Sequence, residues 1–364
     1  VAALKKIHAL LVTLLFGFAS GAGLFALALL PSPEVLQSER RKPAAPPAFS
    51  DLRDGSWMRN FENYAADKFP LRDSFRRLRA FTALYLLRQT DKDGLYLDQG
   101  HAGKFEPLNE TAALRCAEMI AKLAANYPDQ QVYYAIIPDK SIYARRDFPG
   151  LDPARLREVA APILDELTEI DLVPALSLGS YYRTDLHWDQ AKLRPVVEAL
   201  GDRMGFTPRW DFTTQGLGAF HGVYAGQLAL PLKPDEMTIL TDGVTDGAAA
   251  RYFDAKSGEF VSGPVYHSGK VTGRDPYDVF LDGAQALVIL ENPNAETDRE
   301  LYVFRDSFGS SIAPLLLPNY RRVTLIDLRY INARILPQYV TFSPGADVLF
   351  LCGWQIFNAN TWMT

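Results

Sequence analysis

Short apolar runs recur from residue 131 onward, and what lies between them leaves few folds open. The runs are Gln131 to Pro138, carrying Val132, Tyr133, Tyr134, Ile136 and Ile137, then Gln285 to Glu291, Leu301 to Phe304, Val323 to Asp327 and Val348 to Leu351. Each is too short for a core helix and has the length and the β-branched or aromatic content of a strand buried on both faces. Helical patterns separate them: a helix capped by Asn109, one over Pro153 to Glu169 leading to the apolar run Leu172 to Leu178, and others over Asp189 to Leu200, Ser310 to Leu317 and Ile331 to Leu336. Strands joined through helices pair in parallel, and such a sheet needs cover on both faces. The expected fold class is α/β, a three-layer sandwich around a mainly parallel sheet.

Two stretches depart from that alternation. Gly205 to Asp282 is rich in glycine, threonine and aromatic residues, with strand-like runs near Met237 to Leu240, Arg251 to Phe253 and Val261 to Val271, and is expected to form an inserted β-rich lobe at about 205–282. Ahead of the alternating region, Trp57, Phe61, Tyr64, Phe75, Leu78, Phe81 and Leu84 fall at helical spacing on either side of Pro70, which predicts two helices. Lys92-Asp93-Gly94 is a turn signal, so a short hairpin follows.

From Ile7 to Leu30 there is no Asp, Glu, Lys or Arg. About 20 apolar residues suffice to cross a bilayer as a helix. Residues 1–30 are therefore expected to be a membrane anchor or signal segment, 31–49, with Pro31, Pro33, Pro43, Pro46 and Pro47, an extended linker, and 50–364 the folded domain. Ala26-Leu27-Ala28 fits a cleavage site, but the apolar run exceeds a usual signal core, so an uncleaved single-pass anchor is preferred. Lys5 and Lys6 precede the run and Arg40, Arg41 and Lys42 follow it, so charge does not orient it; a long folded domain translocates largely regardless of such charges, and it is expected outside the cytoplasm.

Composition narrows the function. An apolar share of 48% in 364 residues is that of a globular protein, and a net charge of −5 with dispersed Lys and Arg excludes a nucleic-acid partner. The two cysteines, Cys116 and Cys352, lack the paired spacing of a zinc site and are expected to be buried thiols; no metal or other cofactor is expected.

Chemistry concentrates in two places. Tyr181-Tyr182-Arg183-Thr184-Asp185-Leu186-His187-Trp188-Asp189 sets a carboxylate two residues before an imidazole, and Leu301-Tyr302-Val303-Phe304-Arg305-Asp306-Ser307-Phe308-Gly309 ends an apolar strand at a small polar turn before a helix. An acyl-transfer site needs a nucleophile, a base to take its proton and an acid to orient that base. Ser307, His187 and Asp185 supply the three. The amides near Ser307 and Phe308, at a helix N-terminus, are candidate oxyanion donors, Arg305 is a candidate for orienting Asp306 or an acyl donor, and Gly309 is read as letting substrate approach the backbone. Taken singly, Ser307 or Asp306 reads first as a helix cap, and so does Thr184 or Asp185; only the set of segments together favours the triad. His101, His221 and His267 are isolated and are read as structural.

These two strings, with Tyr64-Ala65-Ala66-Asp67-Lys68-Phe69-Pro70-Leu71-Arg72-Asp73, Ile136-Ile137-Pro138-Asp139-Lys140 and Ile326-Asp327-Leu328-Arg329-Tyr330, resemble the DHHW family, whose SGNH-hydrolase-like fold is shared with alginate O-acetylation proteins of bacterial envelopes. Leu186 stands where the family name has its first His, and the Asp-x-His-Trp spacing is kept. The resemblance implies a Ser307–His187–Asp185 triad and places Gly283 as a backbone oxyanion donor; no Asn matches a second donor. It implies an O-acyltransferase in the bacterial cell membrane that acetylates an extracellular polysaccharide, with the acetyl group delivered by a membrane-bound O-acyltransferase. Trp210, Phe212, Phe220, Tyr224, Tyr252, Phe253 and Tyr266 are candidate aromatic faces for a sugar chain, with packing inside the lobe as the alternative. Two other functions stay open: a carbohydrate esterase with the same triad, and a catalytically silent carbohydrate-binding or scaffold protein of an envelope assembly.

Overall fold

The computed structural model describes residues 2–29, 31–145 and 152–362; Val1 and Leu30, at the ends of the expected anchor, lie outside the described residues. The chain divides into two compact units, one made of residues up to 92 with 225–231, the other of 93–224 with the residues from 232 on.

The first unit is helical. Helix α1 (Ala2–Leu29) contains a stretch, Lys5–Leu27, with mean hydropathy 2.1, long and apolar enough to cross a membrane. Helices α2 (Trp57–Lys68) and α3 (Arg72–Phe81) follow, and the latter continues as a π-helical turn, Thr82–Leu86. The break between them falls at Phe69-Pro70, as expected from a ring that cannot continue a helix, and Leu71 takes φ +58° to redirect the chain. The expected extended linker is corrected at 36–41. Leu36 bridges to Arg41, and the guanidinium of Arg41 grips Asp67 through two 2.7 Å bonds while Glu39 pairs with Arg72. Paired charge, which the proline count does not reveal, folds this piece back.

In the second unit a hairpin of β1 (Leu95–Asp98) and β2 (His101–Lys104) precedes the main sheet, which is built from β3 (Gln131–Ile137), β4 (Thr168–Glu169), β7 (Ala249–Asp254), β8 (Glu259–Gly263), β9 (Leu287–Glu291), β10 (Glu300–Arg305), β11 (Arg322–Ile326) and β12 (Asp347–Gly353). Its order is β4-β3-β12-β10-β11-β9-β7-β8. The first five strands run parallel; β9, β7 and β8 close one side in antiparallel pairing. Side chains alternate between the faces with the period of a strand. Leu301 and Val303 join one core with the helices Arg194–Met204 and Phe308–Leu316, whereas Tyr302 and Phe304 join the other with Glu110–Ala124, Pro153–Ala160 and Trp354–Ala359. Both faces are covered, as a parallel sheet requires. Cys116 and Cys352 are buried free thiols in that second core.

Four expectations need correction here. The helix expected over 153–169 ends at Ala160 because Pro162 follows, and Leu172 to Leu178, interrupted by Pro174, forms turns rather than a strand. The helix expected over 331–336 is a set of turns ending in one 3-10 turn, Leu336–Gln338. The stretch 205–282 is not one lobe apart from the sheet: β5 (Thr213–Phe220) and β6 (Asp235–Thr241) form a separate hairpin, but β7 and β8 extend the sheet through β9.

Candidate active site

Ser307 stands at the carboxyl end of β10, between β11 and β12, where open parallel sheets place their ligands. From Glu300 to Tyr320 it is the one residue that is not buried. It initiates the helix Phe308–Leu316 with φ −59° and ψ −27°, and its side chain makes no capping bond. Asp306 does that work instead: Oδ1 accepts from the Phe308 amide at 3.0 Å and Oδ2 from the Gly353 amide at 2.7 Å, and burial pushes the carboxyl pKa up. Ser307 Oγ is left to face His187.

The loop carrying the dyad is a tight reversal. Tyr181 bridges to Trp188, the Tyr182 amide donates to His187 O at 3.1 Å, and the Tyr181 hydroxyl donates to Pro138 O at 2.6 Å, which ties the loop to the end of β3. At its tip His187 Nδ1 lies 2.6 Å from Asp185 Oδ1, and His187 Nε2 lies 2.8 Å from Ser307 Oγ. The Asp185 carboxylate also accepts from the His187 amide at 3.1 Å and the Val223 amide at 2.9 Å. An acceptor so placed fixes the proton on Nδ1 and leaves the Nε2 lone pair for the serine hydroxyl. Asp185 and His187 are 2% and 6% exposed, so the base and its orienting acid work out of water while the serine reaches it. Such a chain can deprotonate Ser307 as it attacks an acyl carbonyl and return the proton to a leaving group.

The other expected site residues are placed differently. The Gly283 amide donates to Phe280 O at 3.2 Å, and the residue is glycine because φ is +73° and a Cβ would sit 2.0 Å from Asp278 Oδ1; its N–H is committed to a turn rather than open to an oxyanion. The Phe308 amide is likewise taken by Asp306. Arg305 is fully buried, with NH1 3.6 Å from Asp327 Oδ2, so it does not meet a substrate. It explains Gly309 instead: a Cβ there would lie 2.6 Å from Arg305 Cβ. Of the aromatic candidates, Phe220, Tyr224, Tyr252 and Phe253 are buried, and Trp210 and Phe212 pack edge to face at 5.2 Å. Tyr266 is anchored by its hydroxyl on Leu240 O at 2.7 Å. Packing accounts for most of them.

Three supports were not singled out in the sequence. Tyr277 stacks on the His187 ring. Lys140, fully buried at the end of β3, donates to Asp185 O at 2.7 Å and Tyr182 O at 3.0 Å, and burial lowers its pKa to about 8. Asp235 accepts from the Arg183 amide at 2.7 Å and the Thr184 amide at 2.8 Å. Only Lys140 left a trace in sequence, as a cation where a buried strand ends. Among the described residues no His, Cys, Asp and Glu group is arranged to hold a metal ion.

Fold and site together define a mixed α/β protein with a serine–histidine–aspartate hydrogen-bond chain at the carboxyl edge of a largely parallel sheet. Its structural neighbours include a DHHW family protein from Eubacterium siraeum, at 17% identity and TM-score 0.59 over 75% of this chain and 97% of that one. They also include Bacillus cereus PatB1 with a sulfonyl adduct, at 15% identity and TM-score 0.58 over 74% and 98%. The O-acetyltransferase domain of Pseudomonas putida AlgJ aligns more loosely, at 14% identity and TM-score 0.43 over 73% and 92%. No family model matches the sequence, and no curated protein matches it. What the first two neighbours share with this chain at such identities is the fold.

Proposed function

We propose that this protein is an O-acyltransferase that carries an acyl group, acetyl above all, as an ester on Ser307 and passes it to a hydroxyl of an extracellular polysaccharide. The observation that carries the reading is the closed chain Asp185–His187–Ser307, with Ser307 alone reaching the surface in its stretch. In the first half, Ser307 Oγ bonds to the acyl carbon, His187 Nε2 takes the hydroxyl proton and gives it to the donor's leaving group. In the second, His187 takes a proton from a sugar hydroxyl, whose oxygen displaces Ser307 Oγ, and the proton returns to the serine. The helix N-terminus beside Ser307 favours the negative charge that develops in both halves. The fold's likeness to PatB1, which has been seen with a sulfonyl adduct, supports looking for a nucleophile that sulfonylates. Helix α1 would hold the enzyme on the outer side of the bacterial cell membrane, with the acetyl group handed over by a membrane-bound O-acyltransferase.

The test is direct. The full chain in detergent is treated with an aryl sulfonyl fluoride, and separately with a chromogenic acetyl ester with and without acetylation-site oligosaccharides. The expected outcome is one sulfonyl group on Ser307, slow ester turnover, and acetylated oligosaccharide by mass. Turnover that is unchanged in Ser307→Ala would overturn the covalent mechanism; turnover with no acetylated sugar for any acceptor would leave water as the acceptor and make the protein an esterase.

A further inference from the structure

Helix α3 and the π turn that extends it leave an apolar stripe uncovered. Leu71, Phe75, Leu78, Phe81, Tyr85 and Leu86 are between 51% and 74% exposed. Positions 71, 75 and 78 step by four and three, the spacing of one helix face, and Phe81, Tyr85 and Leu86 carry the exposed apolar residues on over the π turn, while Ala80 and Ala83 are buried. Exposed Arg77 and Arg79 flank the stripe, one on each side by the same 100° step, and Arg88 follows its end. A continuous apolar face of large side chains bordered by arginines is the pattern of a helix that lies in a bilayer surface, with the arginine stems reaching back to the headgroups.

The second observation is continuity with α1. Phe69, at the α2–α3 turn, lies 3.4 Å from where a Cβ on Gly23 would be, and its ring packs on Phe75 at 5.7 Å. Phe16, Ser20, Gly23 and Leu27 of α1 line an apolar cleft of about 500 Å³ together with Phe61 and Phe69. The C-terminal half of the one described helix able to cross a membrane thus packs on this unit and runs into the stripe on α3 through Phe69. Of the six Lys or Arg in residues 68–88, Arg72 and Arg76 pair with Glu39 inside the unit, and the exposed Arg77, Arg79 and Arg88 are the cations placed to meet an anionic surface.

We propose that α3 is a second membrane contact, lying in the lipid–water interface of an anionic bilayer beside the end of α1, so that the first unit is seated on the membrane rather than swinging from a single span. The proposal rests on α1 being in the bilayer and is independent of the chemistry at Ser307.

The full chain is reconstituted into phosphatidylglycerol-containing vesicles, with single nitroxide-labelled cysteines at positions 74, 75, 77, 78, 81, 82 and 85 and a reference label at position 15 in α1. Cys116 and Cys352 are buried and leave the introduced thiols as the reactive ones. Accessibility to oxygen against a water-soluble nickel chelate is expected to vary periodically along the helix, with lipid-side values at 75, 78, 81 and 85 and headgroup values at 77. Arg77→Glu with Arg79→Glu should lift the stripe toward water, and replacing the phosphatidylglycerol by phosphatidylcholine should do so partly. If 75, 78 and 85 read as water while 15 reads as lipid, the proposal is wrong and the anchor stands. If 15 also reads as water, the anchor itself is wrong. If 75, 78 and 85 are shielded from both reagents, a protein covers the stripe and the lipid proposal is again wrong.

Discussion

The imidazole of His187 lies flat on the phenol ring of Tyr277, with centroids 3.8 Å apart and planes 7° from parallel. The phenol hydroxyl donates to Ser311 Oγ at 2.7 Å, and the same oxygen accepts from Trp188 Nε1 at 2.8 Å. Ser311 lies one turn along the helix that Ser307 begins, so a single element carries the serine in front of the imidazole and the anchor of the ring behind it. Tyr277→Phe keeps the stack and should change ester turnover little. Tyr277→Ala removes the face that holds the imidazole, and a misplacement of about 1 Å costs roughly 10²-fold in rate. Rates and melting temperatures of both variants decide this; an alanine variant with the rate of the tyrosine enzyme would show that the stack does not position the base.

Asp185→Asn tests the orienting acid. Asparagine has one acceptor oxygen, so it can keep the Val223 amide that Oδ2 receives but then turns its NH2 toward the His187 amide and Nδ1 where Oδ1 stood; the loop is still held by the Tyr182–His187 backbone bond and by Asp235, while the Nδ1 tautomer loses its charge partner. Turnover is expected to fall about 10³-fold or more. A residue that merely closed the loop would instead lower stability by about 1 kcal/mol and leave the rate close to its original value. Measuring both on one variant separates the two.

Much of this site is legible in the sequence, for a local reason. The Asp185–His187 pair is two residues apart and the Ser307 turn interrupts an apolar strand, so both are visible in short windows. Leu301 to Phe304 is uniformly apolar because β10 is buried on both faces, which made the central strand readable too. What escaped depends on who claims a group first. The Phe308 and Gly283 amides are free donors on paper, but Asp306 and Phe280 O take them in the fold. Tyr277 comes to His187 from a distant, irregular stretch with no pattern to mark it. β7 and β8 read in sequence as part of a lobe because antiparallel pairing with β9 is settled by the partner and leaves no signal in their own residues.

Lys140 should make stability depend on pH in the alkaline range. Burial lowers its pKa from 10.5 to about 8 in the folded protein. Between those values the unfolded chain binds more protons than the folded one, so stability rises with pH there as the cost of the buried charge is relieved. The gap corresponds to something on the order of 3 kcal/mol. In Lys140→Met that rise is absent, and the stability difference between the wild type and the variant should shift in favour of the wild type from pH 7.5 to pH 10, read by denaturant unfolding at each pH. A difference that stays flat across the window would place the Lys140 ammonium in a better solvated setting than the fold shows.

Gly222 is the last support of the dyad, and the one with no room to change. Its amide donates to Thr184 Oγ1 at 2.7 Å, and the next amide, of Val223, holds Asp185 Oδ2. A Cβ on Gly222 would lie 2.4 Å from both Asp185 Cβ and Thr184 O, closer than real contacts allow. Gly222→Ala therefore has to move the 222–223 backbone away from the Asp185 loop, and overpacking of this kind costs about 1–3 kcal/mol. The catalytic consequence should be larger than the loss of stability implies, because the displaced amides are those that orient Asp185. The rate at which an aryl sulfonyl fluoride labels Ser307 reports on that alignment, since it needs His187 ready to accept the serine proton. It is expected to drop about tenfold or more at a temperature where the variant is still folded. Gly247→Ala, with nothing within 4 Å of its added carbon, serves as the control and should leave both labelling and melting temperature close to wild type. If Gly222→Ala labels at the control rate while melting lower, the 222–223 turn stabilises the domain without aligning the dyad.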